Sequence, residues 1–230
     1  MEVSEVERRD AVERLRQLDA CAVSDALDKL GISGTVNGLA ALTGPAKIAG
    51  RVVTVRLVAA DGTPAKRHLC TAAVEAAQAG DVIVVEHHSR DDCAGWGGIL
   101  STAARARGIS GTIVDGLARD IDESRELGYP VFARAATPST ARGRIVEKAW
   151  NVPVTIGGVD VRPGDLVLAD SSGVAFVSAS KEEAVLEAAE AIAAREAAMA
   201  KAVQGGKPVS QVMGGDYEKM LGNGKDANNG

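Results

Sequence analysis

Two charged residues at the end of an apolar run offer the clearest chemistry in this chain. In Gly111-Thr-Ile-Val-Asp-Gly-Leu-Ala-Arg-Asp120 a β-branched stretch leads through a short turn to Arg119 and Asp120. Strand ends are where α/β proteins place reactive groups. A guanidinium fork suits a carboxylate or an enolate oxygen, and a neighbouring carboxylate is a hard ligand for a divalent cation. Taken by themselves, the two residues read first as a surface ion pair, which contributes little.

A second candidate lies upstream, where Gly95-Trp-Gly-Gly98 precedes a helical pattern. Glycines such as Gly97 and Gly98 let backbone approach a ligand closely, and first-turn N–H groups bind anions. Gly98, Ile99 and Leu100 are therefore candidate holders of a carboxylate or phosphate. The plain alternative is a tight turn. A dinucleotide fingerprint is not present, since no G-x-G-x-x-G with a downstream acid occurs. The three histidines, His68, His87 and His88, belong to no H-E-x-x-H, and no G-x-S-x-G elbow exists. His87 and His88 follow an apolar strand beside Arg90, Asp91 and Asp92 and read as a solvated polar loop. Asp25, after Ser24, and Asp170-Ser-Ser-Gly173 read as cap and turn residues.

These residues need elements to hold them. Residues 3–18 and 23–30 carry helical spacing, the second closed by Gly31. Residues 49–57 and 80–85 read as strands, with an alanine-rich helix over 64–79 between them. A helix over 99–107 stops at Gly108, a strand follows over 112–114, a helix covers 121–127 up to Gly128, and 130–133 returns to the sheet. This β-α-β-α-β rhythm predicts a parallel portion of sheet. Beyond it, 152–156, 159–161, 166–168 and 173–177 read as short strands joined by Gly-Gly and Pro-Gly-Asp turns. Ser180-Lys-Glu-Glu183 has the form of a capping box opening a helix to about residue 203. The expectation is one domain over 1–204 and a flexible or subunit-packing tail over 205–230.

Composition excludes several classes. The 230 residues are 46% hydrophobic and 25% charged, enough for a sizeable core. A net charge of −5 with interspersed signs gives no basic patch for nucleic acid. Cys21, Cys70 and Cys93 form no C-x-x-C pair, which argues against a disulfide framework or a zinc site. No apolar run approaches the roughly 18 residues of a membrane span, and the charged N-terminus is no signal peptide. A cytoplasmic protein is expected.

Gly95-Trp-Gly-Gly-Ile-Leu-Ser-Thr-Ala-Ala, the Gly111–Asp120 stretch, Thr137-Pro-Ser and Arg162-Pro-Gly-Asp-Leu-Val-Leu-Ala-Asp-Ser-Ser-Gly173, in this order, resemble one family. Val23-Ser-Asp-Ala-Leu27 fits its opening helix. It is the RraA-like family, which includes 4-hydroxy-4-methyl-2-oxoglutarate/4-carboxy-4-hydroxy-2-oxoadipate aldolases, and the resemblance spans about residues 20–200. It implies an α/β swivelling β/β/α fold of mixed sheet, with N-terminal helices and a long C-terminal helix, assembled as trimers or hexamers with sites at subunit interfaces. It further implies Asp120 as the direct ligand of Mg²⁺ or Mn²⁺, Arg119 on the pyruvyl oxygen, and the Ile99 and Leu100 amides on the carboxylate of a small 2-oxo acid. Such lyases cleave a C–C bond to leave a pyruvate enolate, by aldol cleavage or decarboxylation.

One position departs from the aldolase pattern of Asp, twenty residues, then Arg-Asp: counting back from Arg119 lands on Gly98. The proton-handling aspartate is absent. Asp91, Asp92, Asp170, Glu196 or a carboxylate of another subunit are the candidates to replace it; alternatively, the small Gly98 makes room for a different substrate. The family also contains non-catalytic proteins that bind an RNA-degrading endonuclease, and this is the second reading. No methyl-donor nucleotide motif supports a third, quinone methylation.

Overall fold

The structure, a computed structural model, describes residues 5–62 and 67–214. In chain order the first elements are α1 (Glu5–Gln17), α2 (Ala20–Lys29), β1 (Thr35–Val36), β2 (Ala40–Ala41), β3 (Ile48–Ala59), α3 (Thr71–Ala76), β4 (Val82–Glu86) and β5 (Ala94–Trp96). Next come α4 (Gly98–Ala106), β6 (Gly111–Ala118), α5 (Ile121–Glu126), β7 (Val131–Ala136) and β8 (Ile145–Trp150). The last are β9 (Val154–Ile156), β10 (Val159–Val161), β11 (Leu166–Asp170), β12 (Gly173–Val177), α6 (Glu182–Gln204) and α7 (Val209–Val212).

The main sheet runs β1-β12-β11-β3-β4-β6-β7-β2, with β5 added to β6 and β8 to β3. β3 is its hub, antiparallel to β11 over its first residues and parallel to β4 from Val52 onward. β3, β4, β6 and β7 form the parallel portion, as the β-α-β-α-β rhythm predicts. Every residue of β4 and β6 is buried, because alternate side chains enter different cores. Ile83 and Val114 pack with Trp96, Leu100 and Tyr129 beneath α3 to α5. Val84 and Ile113 face the opposite way, toward Ile156 and Val161 of the β9–β10 hairpin. A third cluster packs α1, α2 and α6 on β11 and β12 through Leu15, Leu27, Leu168 and Leu186.

Two buried acids fasten the hairpin to the sheet. Glu86 accepts from the Thr155 amide and from Arg56 Nε, each at 2.7 Å. Asp115 accepts from the Gly157 amide at 3.1 Å and from Arg134 Nε at 2.6 Å. Charge-assisted bonds to amides satisfy carboxylates that burial would otherwise penalise.

Several expectations change. The strand predicted over 112–114 continues to Ala118, so Asp115 and Gly116 belong to β6 and not to a turn. The helix predicted over 64–79 is only α3, because Cys70 is left-handed (φ 65) and Ala77 is already extended; residues 63–66 lie outside the described residues. The capping box does not form: Ser180 Oγ meets Ser178 Oγ, and Glu183 pairs with Arg14 on α1. α2 starts three residues earlier than predicted, at Ala20, because Asp19 and Asp170 each cap it with a 2.8 Å bond. β1, β2, β5 and β8 were not foreseen. Of the tail, 205–214 includes the short α7, and 215–230 lies outside the described residues.

Candidate active site

β5 and β6 run parallel, with Trp96 opposite Ala118 and the Arg119 amide donating to Trp96 O at 3.0 Å. Each strand passes directly into a helix, so the starts of α4 and α5 lie side by side. Gly97-Gly98 and Arg119-Asp120, remote in sequence, therefore meet. Asp120 sits at φ 56, ψ 42, a left-handed conformation that costs a non-glycine residue about 1–2 kcal/mol. It stands at the N-cap of α5, yet its carboxylate does not cap that helix. Instead Oδ2 accepts from the Gly98 amide and Oδ1 from Arg119 Nε, both at 3.0 Å. Loop geometry has traded a local cap for a bridge between the two helix starts.

That bridge changes the anion site. The Gly98 amide, one of the predicted donors, is committed to Asp120. The first amide bonded within α4 is that of Ser101, to Gly97 O at 3.1 Å. Ile99 and Leu100 thus keep donors with no intrahelical acceptor, at the positive end of the helix. They line a cavity of about 240 Å³ together with Trp96, Gly97, Arg119 and Asp120. A larger cavity, at His68 and Arg142, adjoins it; of the two, the one at Arg119 is the candidate site, since it holds the helix amides and the charged pair.

Gly98 is where the structure adds what sequence reasoning missed. A side chain there would overlap Oε2 of Glu123 and reach within 3.1 Å of Asp120 Cβ. The Glu123 carboxylate lies against Gly98, the position at which the aldolase pattern has its aspartate. The available signal was spacing: residues three apart on a helix share a face, so Asp120-x-x-Glu123 presents two acids together. Asp91 is exposed, and the other candidates on this chain sit elsewhere. Asp170 bonds the amides of Ala20 and Ser172, Asp92 pairs with Arg90, and Glu196 lies near Asp19 and Asp25, where burial and the like charges of those two raise its pKa. None of them lines the Arg119 cavity; Glu123 does not line it either, but its exposed carboxylate lies against Gly98, which does.

A chain of buried hydroxyls holds the two helix starts together. Trp96 Nε1 donates to Ser101 Oγ at 2.9 Å, Ser101 Oγ meets Ser124 Oγ at 2.8 Å, and Ser124 Oγ donates to Asp120 O at 3.2 Å. Both serines are fully buried. Trp96 stacks on Tyr129, whose hydroxyl meets Thr112 Oγ1 at 2.8 Å.

His87 corrects the solvated loop expected around 87–92. It is fully buried, its ring held against Gly95 of β5 and Gly116 of β6, where a side chain would overlap Nδ1. Burial, reinforced by Arg90, lowers its pKa to about 4, so it is neutral at pH 7. His88 is half exposed near Glu86. Thr137 and Ser139 tie the following loop to the site strands, through Thr137 N to Ala118 O at 2.9 Å and Ala94 N to Ser139 O at 3.1 Å.

Comparison with known proteins identifies the family of the chain. Protein DlpA of Legionella pneumophila is 28% identical over 200 residues, covering 87% of this chain; the chain spans only 32% of DlpA. The 4-hydroxy-4-methyl-2-oxoglutarate aldolase of Thermus thermophilus is 33% identical over 135 residues, 57% of this chain and 76% of that protein. RraAS2 of Streptomyces coelicolor, described as an unusual member of the RNase ES inhibitor RraA protein family, superposes with a TM-score of 0.74 at 30% identity, covering 81% of this chain and 93% of that one. The family model for RraA-like proteins, Aldolase/RraA, matches residues 20–176. The mixed sheet, the paired helix starts and that match together place the chain in the RraA-like family.

Proposed function

We propose that the chain is a divalent-metal-dependent lyase that cleaves a C–C bond next to a small 2-oxo acid, by aldol cleavage or decarboxylation. The observation that carries this reading is the convergence of the Ile99 and Leu100 amides, Arg119 and Asp120 on one cavity at the starts of α4 and α5, with the exposed Glu123 carboxylate against Gly98 beside it.

The donor set fits Mg²⁺ or Mn²⁺. Among the described residues no three His, Cys, Asp or Glu side chains form a metal cage. Asp120 and Glu123 are two carboxylates on one helical turn, the sparse oxygen set of an ion that keeps most of its water. A bound ion would act as a Lewis acid on the 2-oxo oxygen. The protein's own groups do the rest. The two free amides hold the substrate carboxylate and fix its plane. As the bond breaks, charge grows on the former carbonyl oxygen, and the Arg119 guanidinium meets it there. In aldol cleavage the Glu123 carboxylate takes the proton of the 4-hydroxyl as the C–C bond opens to a carbonyl product. It then returns that proton to the enolate carbon, which yields pyruvate. Decarboxylation needs no base, since CO₂ leaves without losing a proton, and the enolate carbon then takes its proton from water.

The test is pyruvate release from oxaloacetate and from 4-hydroxy-4-methyl-2-oxoglutarate. Mg²⁺ or Mn²⁺ should stimulate it, and Asp120→Ala should reduce it at least about 100-fold. Activity that survives a chelator, or that substitution, sinks the reading. Assembly as a trimer or hexamer in the cytoplasm, with sites at subunit interfaces, goes with it. Likeness to RraAS2 favours a second reading, a non-catalytic partner of an RNA-degrading endonuclease. Recovery of such an enzyme with the wild-type chain, together with no Mn²⁺ binding by calorimetry, would favour that alternative.

A further inference from the structure

The Arg119 cavity does not end at the reacting groups. His68, Leu69, Thr140, Ala141 and Arg142 line both it and a second cavity of about 410 Å³. That volume lies in the range of about 300–1,000 Å³ in which protein clefts enclose sizeable ligands. A leaving CO₂ or a three-carbon acid would occupy little of it.

The walls of the second cavity say what else fits. At its far side Arg67 Nε lies 3.4 Å from Glu147 Oε1, and Glu147, with its side chain only 4% exposed, accepts from the Cys70 amide at 2.7 Å. Charge there is already balanced. Arg142, at the junction of the two cavities, bonds Thr140 through its backbone, and among the described residues no acid pairs with its guanidinium. Much of the remaining lining is apolar, from Ala60, Leu69, Ala141, Ile145 and Val146.

From this arrangement we infer that the second cavity takes the leaving fragment of the substrate, and that this fragment carries an anionic group for Arg142 and an apolar tail beyond it. The assignment rests on the lyase reading and gives it a substrate class: 2-oxo acids bearing, at the carbon that leaves, a carboxylate and an alkyl chain longer than methyl. The charge of Arg142 selects the anion, and the desolvated wall selects the tail.

Binding rather than turnover tests it. The probes are 4-methyl-, 4-propyl- and 4-pentyl-2-oxoglutarate, which lack the 4-hydroxyl and so cannot undergo aldol cleavage, titrated calorimetrically into the full chain with Mg²⁺. Kd should fall by up to about fourfold for each added methylene. Arg142→Gln should weaken the whole series about tenfold, with Arg142→Lys recovering part of the loss. Val146→Asn should flatten the dependence on length. A Kd that ignores or rises with tail length overturns the inference, whatever the variants do. So does a flat series accompanied by dissociation of an oligomer in Val146→Asn, which would give the cavity to a second copy of the chain. The outcomes also separate the two claims. Length dependence without pyruvate release from any 4-hydroxy homologue would retain the cavity and remove the lyase; pyruvate release with a flat series would do the reverse.

Discussion

Glu123 owes its place to a residue that lacks a side chain. At Gly98 a Cβ would meet its carboxylate, the far end of a flexible and exposed side chain that would have to swing aside. If Glu123 is the proton-transfer group, the two reactions should part company. Glu123→Gln should slow aldol cleavage of 4-hydroxy-4-methyl-2-oxoglutarate by about 100-fold or more and oxaloacetate decarboxylation much less, measured as pyruvate release. Equal losses on both substrates would return Glu123 to a metal-holding role alone. Gly98→Asp should displace the Glu123 carboxylate, and Gly98→Asp combined with Glu123→Ala should recover the pyruvate release that Glu123→Ala alone loses, since the new carboxylate would occupy nearly the same volume. Arg119 and Asp120 were legible as a candidate pair from sequence alone. The partner was not, because 25 positions separate Gly98 from Glu123 and their meeting depends on how α5 packs beside α4.

At the scale of elements, the site is the juncture of two strand-to-helix passages, β5 into α4 and β6 into α5. The Trp96, Ser101, Ser124 and Asp120 chain sets the spacing between the helix that offers amides and the helix that offers carboxylates. Ser124→Ala removes one hydroxyl and leaves Asp120 O and one side of Ser101 without that partner. Stability should drop by about 1–3 kcal/mol in urea melts. Pyruvate release should fall roughly tenfold in kcat, since small displacements between binding and reacting groups are costly. Unchanged kcat with lowered stability would show that the hydroxyls only support the fold. These elements were unevenly legible. α4 and α5 announced themselves by periodicity and by Gly108 and Gly128, both at positive φ where the chain turns back. β5, at three residues, is too short to show a period, and β6 was read as ending at a turn because Asp115-Gly116 has turn chemistry. Its aspartate is instead neutralised by Arg134, and its glycine makes room for the ring of His87.

Across the whole molecule, a neutral imidazole lies inside the sheet that carries the site, and the fold must keep it so. The unfolded chain takes up the His87 proton near pH 6.5, while the folded protein resists until about pH 4. The unfolded state thus binds more protons between those values, and stability must fall as pH drops through that window. The full effect is on the order of 3 kcal/mol. Urea melts at pH 7, 5.5 and 4.5 should show a progressive loss that His87→Gln largely removes; the same slope in that variant would assign the acid sensitivity to other groups. The parallel core, the hairpin-rich half and the long C-terminal helix could be anticipated from hydrophobic patterning. The way the β9–β10 hairpin docks could not, because it depends on Glu86 and Asp115 reaching amides far along the chain. The Gly98 and Glu123 arrangement has a consequence for how relatives are sorted. A survey keyed to an aspartate in the column of Gly98 would file this chain among those that have discarded their acid. A survey keyed to occupied volume would file it among those that keep a carboxylate beside that position from another address.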